Sequence, residues 1–225
     1  VLGYNGTTPI ELSEMIPFGR AVVSSAVSAL VVVDLPFGSY EVSDDQALTN
    51  SIRVMKETGA DAVKLEGAKL SQIRALVSSG IPVMGHVGFT PQSVNTLAGY
   101  KVQGRTEQDA ARILQECKDI EAAGAFAVVL EMIPAELAQE ISQKLAIPTI
   151  GIGAGADCDG QILVWQDFAG LGTRSPKFAK QYLKLTKTIK SQPSSYDEEE
   201  ADIVIRDDVA SVSTLGSSPS LALSP

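Results

Sequence analysis

Five ionisable side chains close four apolar runs in this sequence. Asp34 ends "VVVD", Lys64 and Glu66 stand two apart in "DAVKLEG", His86 ends "IPVMGH" and Glu131 ends "AVVLE". Side chains two apart in a strand share a face, so Lys64 and Glu66 project from one surface while Val63 and Leu65 project from the other. Asp34 and Glu66 offer hard oxygen ligands, which suit Mg²⁺ with water or substrate completing an octahedron. One histidine in the whole chain and no nearby cysteine argue against a structural zinc site. An ion held in this way is a Lewis acid for a chelating substrate. Beside it, Lys64 can neutralise a carboxylate or an enolate, and Glu131 can act as a general base once burial lifts its pKa toward neutrality. The set suits proton abstraction next to a carbonyl.

Each residue also has a plainer use. Asp34 before Leu35-Pro36 can start a turn. Lys64 and Glu66 can pair with each other or meet solvent where the strand ends. His86 can be a satisfied core imidazole, and Glu131 can favour the N-terminus of a helix near Pro134. What speaks for a site is that all five would have to gather at equivalent strand ends by accident.

The elements that must position them read as alternating strands and helices. Apolar runs recur at 29–37, 61–67, 81–88, 125–132, 147–155 and 161–167, near-continuous as in parallel strands covered on both faces. Between them, Ser43 with Gln46 forms a capping-box pattern and Gly59 a C-terminal cap; Thr106 opens a helix that Gly124 closes; Pro134 suits a first helical position. A last helix is expected from about Pro176. Such βα units cross over right-handedly, into either an open doubly wound sheet or a closed barrel. In a barrel, catalytic groups stand at the C-terminal strand ends, where these five residues lie. Eight βα units need about 250 residues, so if these six strands belong to a barrel, two strands are missing.

"GIGAG" (151–155) is a weak match to a dinucleotide fingerprint, because "ADCDGQ" rather than a helix start follows it. A glycine turn that lets a ligand approach is the better expectation. The long connection from Val87 to Arg105 is expected to be a lid or binding surface. Residues 1–190 are expected to form the barrel domain. Residues 191–225, rich in Ser, Pro and acid, read as a mobile tail in which only "ADIVIRD" is a candidate for local structure.

Composition narrows the function classes. The chain has 225 residues, 44% of them apolar, a net charge of −9 and a pI near 4.7, without the cationic surface of a nucleic-acid binder. Cys117 and Cys158 form no framework and fit a reducing compartment. No apolar run reaches the ~20 residues of a membrane span, and no signal-peptide pattern follows Val1. A cytoplasmic or mitochondrial-matrix chain, not a secreted one, is expected.

"DLPFGSY", "VKLEG", "GHVGFTPQS", "GYKVQGR", "VVLEMIPAELA" and "IPTIGIGAGADCDGQILV", in this order, resemble ketopantoate hydroxymethyltransferase over roughly residues 1–182. The resemblance implies an α/β fold, a (β/α)8 TIM barrel of the phosphoenolpyruvate/pyruvate type that here lacks its first two strands, and a homodecamer. It implies transfer of a hydroxymethyl group from 5,10-methylenetetrahydrofolate to 3-methyl-2-oxobutanoate, toward pantothenate and coenzyme A. Carried over by position, Asp34 and Glu66 are the Mg²⁺ ligands, Asp34, Lys64 and His86 hold substrate, and Glu131 is the base.

Some features depart from the family. Its Gly-Asp-Ser motif, whose Asp ligates the metal and whose Ser holds substrate, would fall just before Val1. "MIPFGRAVV" puts Pro17 and Gly19 where the family keeps helix formers, residues that cost about 3 and 1 kcal/mol inside a helix. "GTRSPKF" is looser than its counterpart. Two further readings stand beside this one: a metal-dependent 2-oxo acid aldolase or lyase, and an inactive truncated barrel subunit with unpaired strand edges.

Overall fold

The computed structural model of the chain describes residues 2–96, 99, 101–172 and 175–191, together with the backbone of 203–205 and 210–212. In chain order, the first unit contains α1 (Leu12–Ser25), β1 (Val32–Asp34), α2 (Asp44–Thr58), β2 (Ala62–Lys64), α3 (Leu70–Ser78) and β3 (Val83–Gly88). After a 3-10 turn at Pro91–Ser93 come α4 (Glu107–Ala122), β4 (Ala127–Glu131), α5 (Ala135–Lys144), β5 (Thr149–Ile152) and β6 (Gly160–Gln161). This unit spans residues 1–162 and the second spans 163–225. The second holds α6 (Trp165–Ala169), α7 (Leu185–Ser191) and an antiparallel pair, β7 (Ile203–Ile205) with β8 (Ala210–Val212). The rest of the expected tail lies outside the described residues.

The six strands form one parallel sheet in sequential order, β1 to β6. A sheet wound in one direction with right-handed crossovers carries all its helices on one face and curls away from them. That geometry is an arc of a βα barrel rather than a doubly wound sheet. Among the described residues β1 and β6 each pair on one side only.

The core lies between strands and helices. Val33, Val63, Leu65, Val83, Val87, Val128 and Leu130 pack with Ile73 and Leu76 of α3, Ile113 and Ile120 of α4 and Ile141 of α5. Burying side chains of this size contributes roughly 1.5–3 kcal/mol each. Gly85 sits in the same layer because a Cβ there would meet Ile120 Cγ2 at 2.6 Å. These residues alternate with Asp34, Lys64, Glu66, His86 and Glu131, which therefore share the opposite, concave face.

Local signals explain most element ends. Ser43 Oγ accepts the Gln46 N–H at 3.1 Å, and Gly59 caps α2 at φ 77°. The Gln46 side chain reaches back one residue further than a capping box predicts, accepting the Val42 N–H at 3.0 Å. Thr106 Oγ1 accepts the Asp109 N–H, and Pro134 is the N-cap of α5 rather than its first residue. α1 runs through Pro17, and Gly19 is a close-packing site: its Cβ would lie 3.0 Å from Thr58 Cγ2 and 3.1 Å from Val33 Cγ2.

Two expectations need correction. The run at 161–167 is a strand only at Gly160–Gln161, because Val164 O accepts the Asp167 and Phe168 N–H groups and starts α6. The helix expected from Pro176 begins only at Leu185, since the Tyr182 and Leu183 N–H groups donate to Phe168 O instead of to a helical turn. In "GIGAG", a Cβ on Gly155 (φ 83°) would meet Ala135 Cβ of α5 at 2.5 Å, so this glycine lets the turn pack against α5.

Candidate active site

Strand register places the five residues. Asp34 is level with Lys64, Lys64 with Met84, and Gly88 with Glu131. Pairing continues past β2, since the Leu65 N–H donates to Met84 O and the Gly67 N–H to His86 O. Each step between the five is an even number of residues, so the concave face carries them as a rising arc from β1 to β4.

They touch in sequence. Lys64 Nζ lies 2.9 Å from Asp34 Oδ2 and 3.0 Å from His86 Nδ1. His86 Nδ1 is 4.0 Å from Glu66 Oε1, and His86 Nε2 is 3.2 Å from Glu131 Oε2. Lys64 is thus paired with Asp34 rather than with Glu66, and the Glu131 carboxyl is turned to His86.

Burial sets the protonation states. It pushes Glu66 up to about 7 against the pull of Lys64, with Asp34 reinforcing the rise. Glu131 is likewise pushed up to about 7 by burial, again opposed by Lys64 and helped by Glu66 and Asp34. His86 is held well below its ordinary value by burial and then by the Lys64 charge, against a backbone hydrogen bond at Phe89. Its 3.2 Å approach to Glu131 is therefore made by a neutral ring, not an ion pair, and Nε2 has no well-formed hydrogen bond.

Backbone geometry aims Glu131. Gly88, at φ 91°, lies so close that an added Cβ would meet Glu131 O at 2.2 Å, and the Phe89 N–H donates to that same oxygen at 2.8 Å. Met132, at φ 48°, is the one described non-glycine residue in the left-handed region, a conformation that costs on the order of 1 kcal/mol. The Ile152 carbonyl accepts its N–H and the Gln103 N–H donates to its carbonyl, both at 2.9 Å, so neighbours fix the bend directly after Glu131.

The donor set fits a hard divalent cation. Asp34 Oδ1 is buried without a hydrogen-bond partner, and Glu66 offers a second carboxylate on the same face. Among the described residues no group of three or more His, Cys, Asp or Glu is arranged to hold a metal by itself. Two carboxylates suit Mg²⁺, which keeps waters and takes substrate oxygens.

A model of the family described as ketopantoate hydroxymethyltransferase matches residues 1–203. The chain belongs to this family. The 3-methyl-2-oxobutanoate hydroxymethyltransferase of Thermobifida fusca is 54% identical over 201 residues, covering 88% of this chain and 72% of that one. The enzyme of the same name from Leifsonia xyli subsp. xyli is 54% identical over 202 residues, covering 88% and 73%. The crystal structure of phosphoenolpyruvate phosphomutase from Streptomyces platensis subsp. rosaceus is similar at 14% identity, with a TM-score of 0.48 over 83% of this chain and 66% of that chain.

Membership in the ketopantoate hydroxymethyltransferase family makes the chain one of a family of transferases whose reaction needs a one-carbon donor and a small-molecule acceptor. No helix among the described residues is long and apolar enough to cross a membrane. The cysteines stay outside the site: Cys117 is buried in α4, its thiol pushed up to about 12 by burial.

Two site residues were not singled out by sequence reasoning, Tyr40 and Gln92. Both are buried, at 1% and 8% exposure. Tyr40 Oη donates to Gln92 Oε1 at 2.6 Å, Gln92 Nε2 donates to Leu35 O at 2.8 Å, and the Gln92 N–H donates to Glu66 Oε2 at 2.9 Å. The only hint was that both lie inside the quoted motifs, in "DLPFGSY" and "FTPQS". The long connection after β3 thus supplies a buried part of the site: Phe89 and Thr90 are buried along with Gln92.

Proposed function

We propose that the chain transfers a hydroxymethyl group from 5,10-methylenetetrahydrofolate to 3-methyl-2-oxobutanoate, giving 2-dehydropantoate. The observation that carries this reading is Glu131: a buried carboxyl at about 7, at the end of β4, on the same face as two carboxylates and a lysine. A base near neutrality can both take a proton and release it at physiological pH.

In this reading Asp34 and Glu66 would hold Mg²⁺, which would supply Lewis acidity toward a bound 2-oxo acid. Lys64 lies between the carboxylates and His86, where its charge balances negative charge on a substrate oxygen. Neutral His86 offers a hydrogen bond without adding a second cation. Glu131 accepts the C3 proton, and the electron pair left on C3 forms the new carbon–carbon bond to the methylene carbon; over the reaction both bonds from that carbon to folate nitrogens break onto nitrogen, one water supplies the hydroxyl oxygen and the protons the nitrogens take up, and tetrahydrofolate leaves. Its later deprotonation returns the base.

The Mg²⁺ preference, the folate donor and a homodecameric assembly belong to the same proposal. The test is formation of 2-dehydropantoate from both substrates with Mg²⁺. Activity lost in Glu131→Gln supports the reading; cleavage of a 2-oxo acid without folate would replace it with an aldolase or lyase.

A further inference from the structure

Glu66 lies two residues past the end of β2, yet what orients its carboxylate comes from elsewhere. One oxygen, Oε2, accepts the Gln92 backbone N–H at 2.9 Å, while Oε1 lies on the His86 side, 4.0 Å from Nδ1. The Glu66 N–H in turn donates to Tyr40 Oη at 3.3 Å.

The Gln92 side chain is fixed on both ends. Tyr40 Oη donates to its Oε1 and its Nε2 donates to Leu35 O. An amide with one donor and one acceptor so engaged has one orientation, since the flipped amide would set its oxygen against the Leu35 carbonyl, acceptor against acceptor. Burial pushes the Tyr40 phenol far above its ordinary range, so it remains a donor. One glutamine thus ties the ends of β1, at Leu35, and β2, at Glu66, to the 36–40 connection and to the turn at Pro91–Ser93.

We propose that Gln92 and Tyr40 are positioning residues that hold Glu66 with Oε2 occupied and Oε1 free, so that this carboxylate presents a single oxygen to a divalent cation shared with Asp34. This inference rests on the metal reading of the site given above. It places the selectivity for a hard cation in a buried amide and phenol that never touch the ion. Partners of metal-ligating groups typically change metal affinity by about 10–100-fold when removed.

The test is Mn²⁺ binding to the whole chain, followed by electron paramagnetic resonance, with Mg²⁺ competition, for wild type, Tyr40→Phe and Gln92→Ala. Metal-free thermal melts run in parallel. Thr58→Val serves as a control, since it removes buried hydrogen bonds at the C-terminal end of α2, to Val54 O and from the Ala60 N–H, and not those that Gln92 and Tyr40 make to Glu66. The expected result is an Mn²⁺ affinity weaker by about tenfold or more in Tyr40→Phe and Gln92→Ala, and unchanged in Thr58→Val at a comparable loss of melting temperature. If Gln92→Ala does not fold, the milder Tyr40→Phe decides alone. Affinities within twofold of wild type would overturn the positioning role and leave the metal reading standing. A wild-type chain that binds no Mn²⁺ would overturn both.

Discussion

Lys64 Nζ stands 3.0 Å from His86 Nδ1, and this contact decides which proton His86 carries. An ammonium has donors only, so Nδ1 must accept and the ring proton of the neutral imidazole sits on Nε2, facing Glu131. His86 is the sole histidine of the chain, so a ¹⁵N-histidine spectrum reports this ring alone. At pH 7 the expected pattern is a protonated Nε2 and an unprotonated Nδ1. In Lys64→Met the two tautomers are expected to mix. A wild-type Nδ1–H tautomer would contradict the assignment.

Replacing the base separates chemistry from binding. Glu131→Gln preserves volume and is expected to lower kcat by about 10²–10⁴-fold, the usual worth of a positioned general base, with KM changed by less than about threefold. Because Glu131 must be ionised to act, wild-type activity is expected to rise tenfold per pH unit below about 7 and to level off above it. Steady-state kinetics from pH 5.5 to 8.5 check both.

Stability of the metal-free protein carries the same signature. Glu66 and Glu131 hold protons more tightly folded than unfolded, so their contribution is fully present below 4.5 and is lost as pH rises toward about 7. His86 has the opposite sign: held neutral, it costs stability as pH falls below its ordinary 6.5. Two carboxyls against one imidazole leave a net loss of stability from pH 5 to 7, of about 1.4 kcal/mol per unit for each proton in excess. Urea unfolding is expected to show this decline in wild type. In Glu66→Gln/Glu131→Gln, where His86 alone remains, stability is expected to rise over the same interval.

Two glycines distinguish backbone from side-chain constraints. Gly88→Ala drives a Cβ into the Glu131 carbonyl at a positive φ, which no side-chain rotation relieves. It is expected to cost about 3 kcal/mol or more. Gly85→Ala clashes with the Ile120 side chain, which can turn aside, and makes an ordinary contact with Val128 Cγ2 at 3.6 Å; it is expected to cost about 1–2 kcal/mol. Thermal denaturation of both variants gives the order.

The sequence made the rim legible because strand alternation and the βα repeat are local signals. Lys64 and Glu66 stand two apart, and ionisable residues close four of the six apolar runs. Parity of the register then puts all five on one face. Tyr40 and Gln92 were illegible because their hydrogen bonds span the fold: Tyr40 meets a partner 52 residues away, and Gln92 reaches Leu35 57 residues back. No periodicity marks such pairs. The helix expected from Pro176 starts only at Leu185 for a similar reason, since Phe168 O captures the N–H groups of Tyr182 and Leu183, a competition invisible to helix propensity.

The most direct measurement is loss of the C3 proton itself. Incubated in D₂O with Mg²⁺ and without folate, 3-methyl-2-oxobutanoate is expected to exchange its C3 hydrogen for deuterium in the presence of the wild-type protein, and at least about a hundredfold more slowly with Glu131→Gln. Exchange at equal rates in the two proteins would show that Glu131 is not the base and would contradict the account.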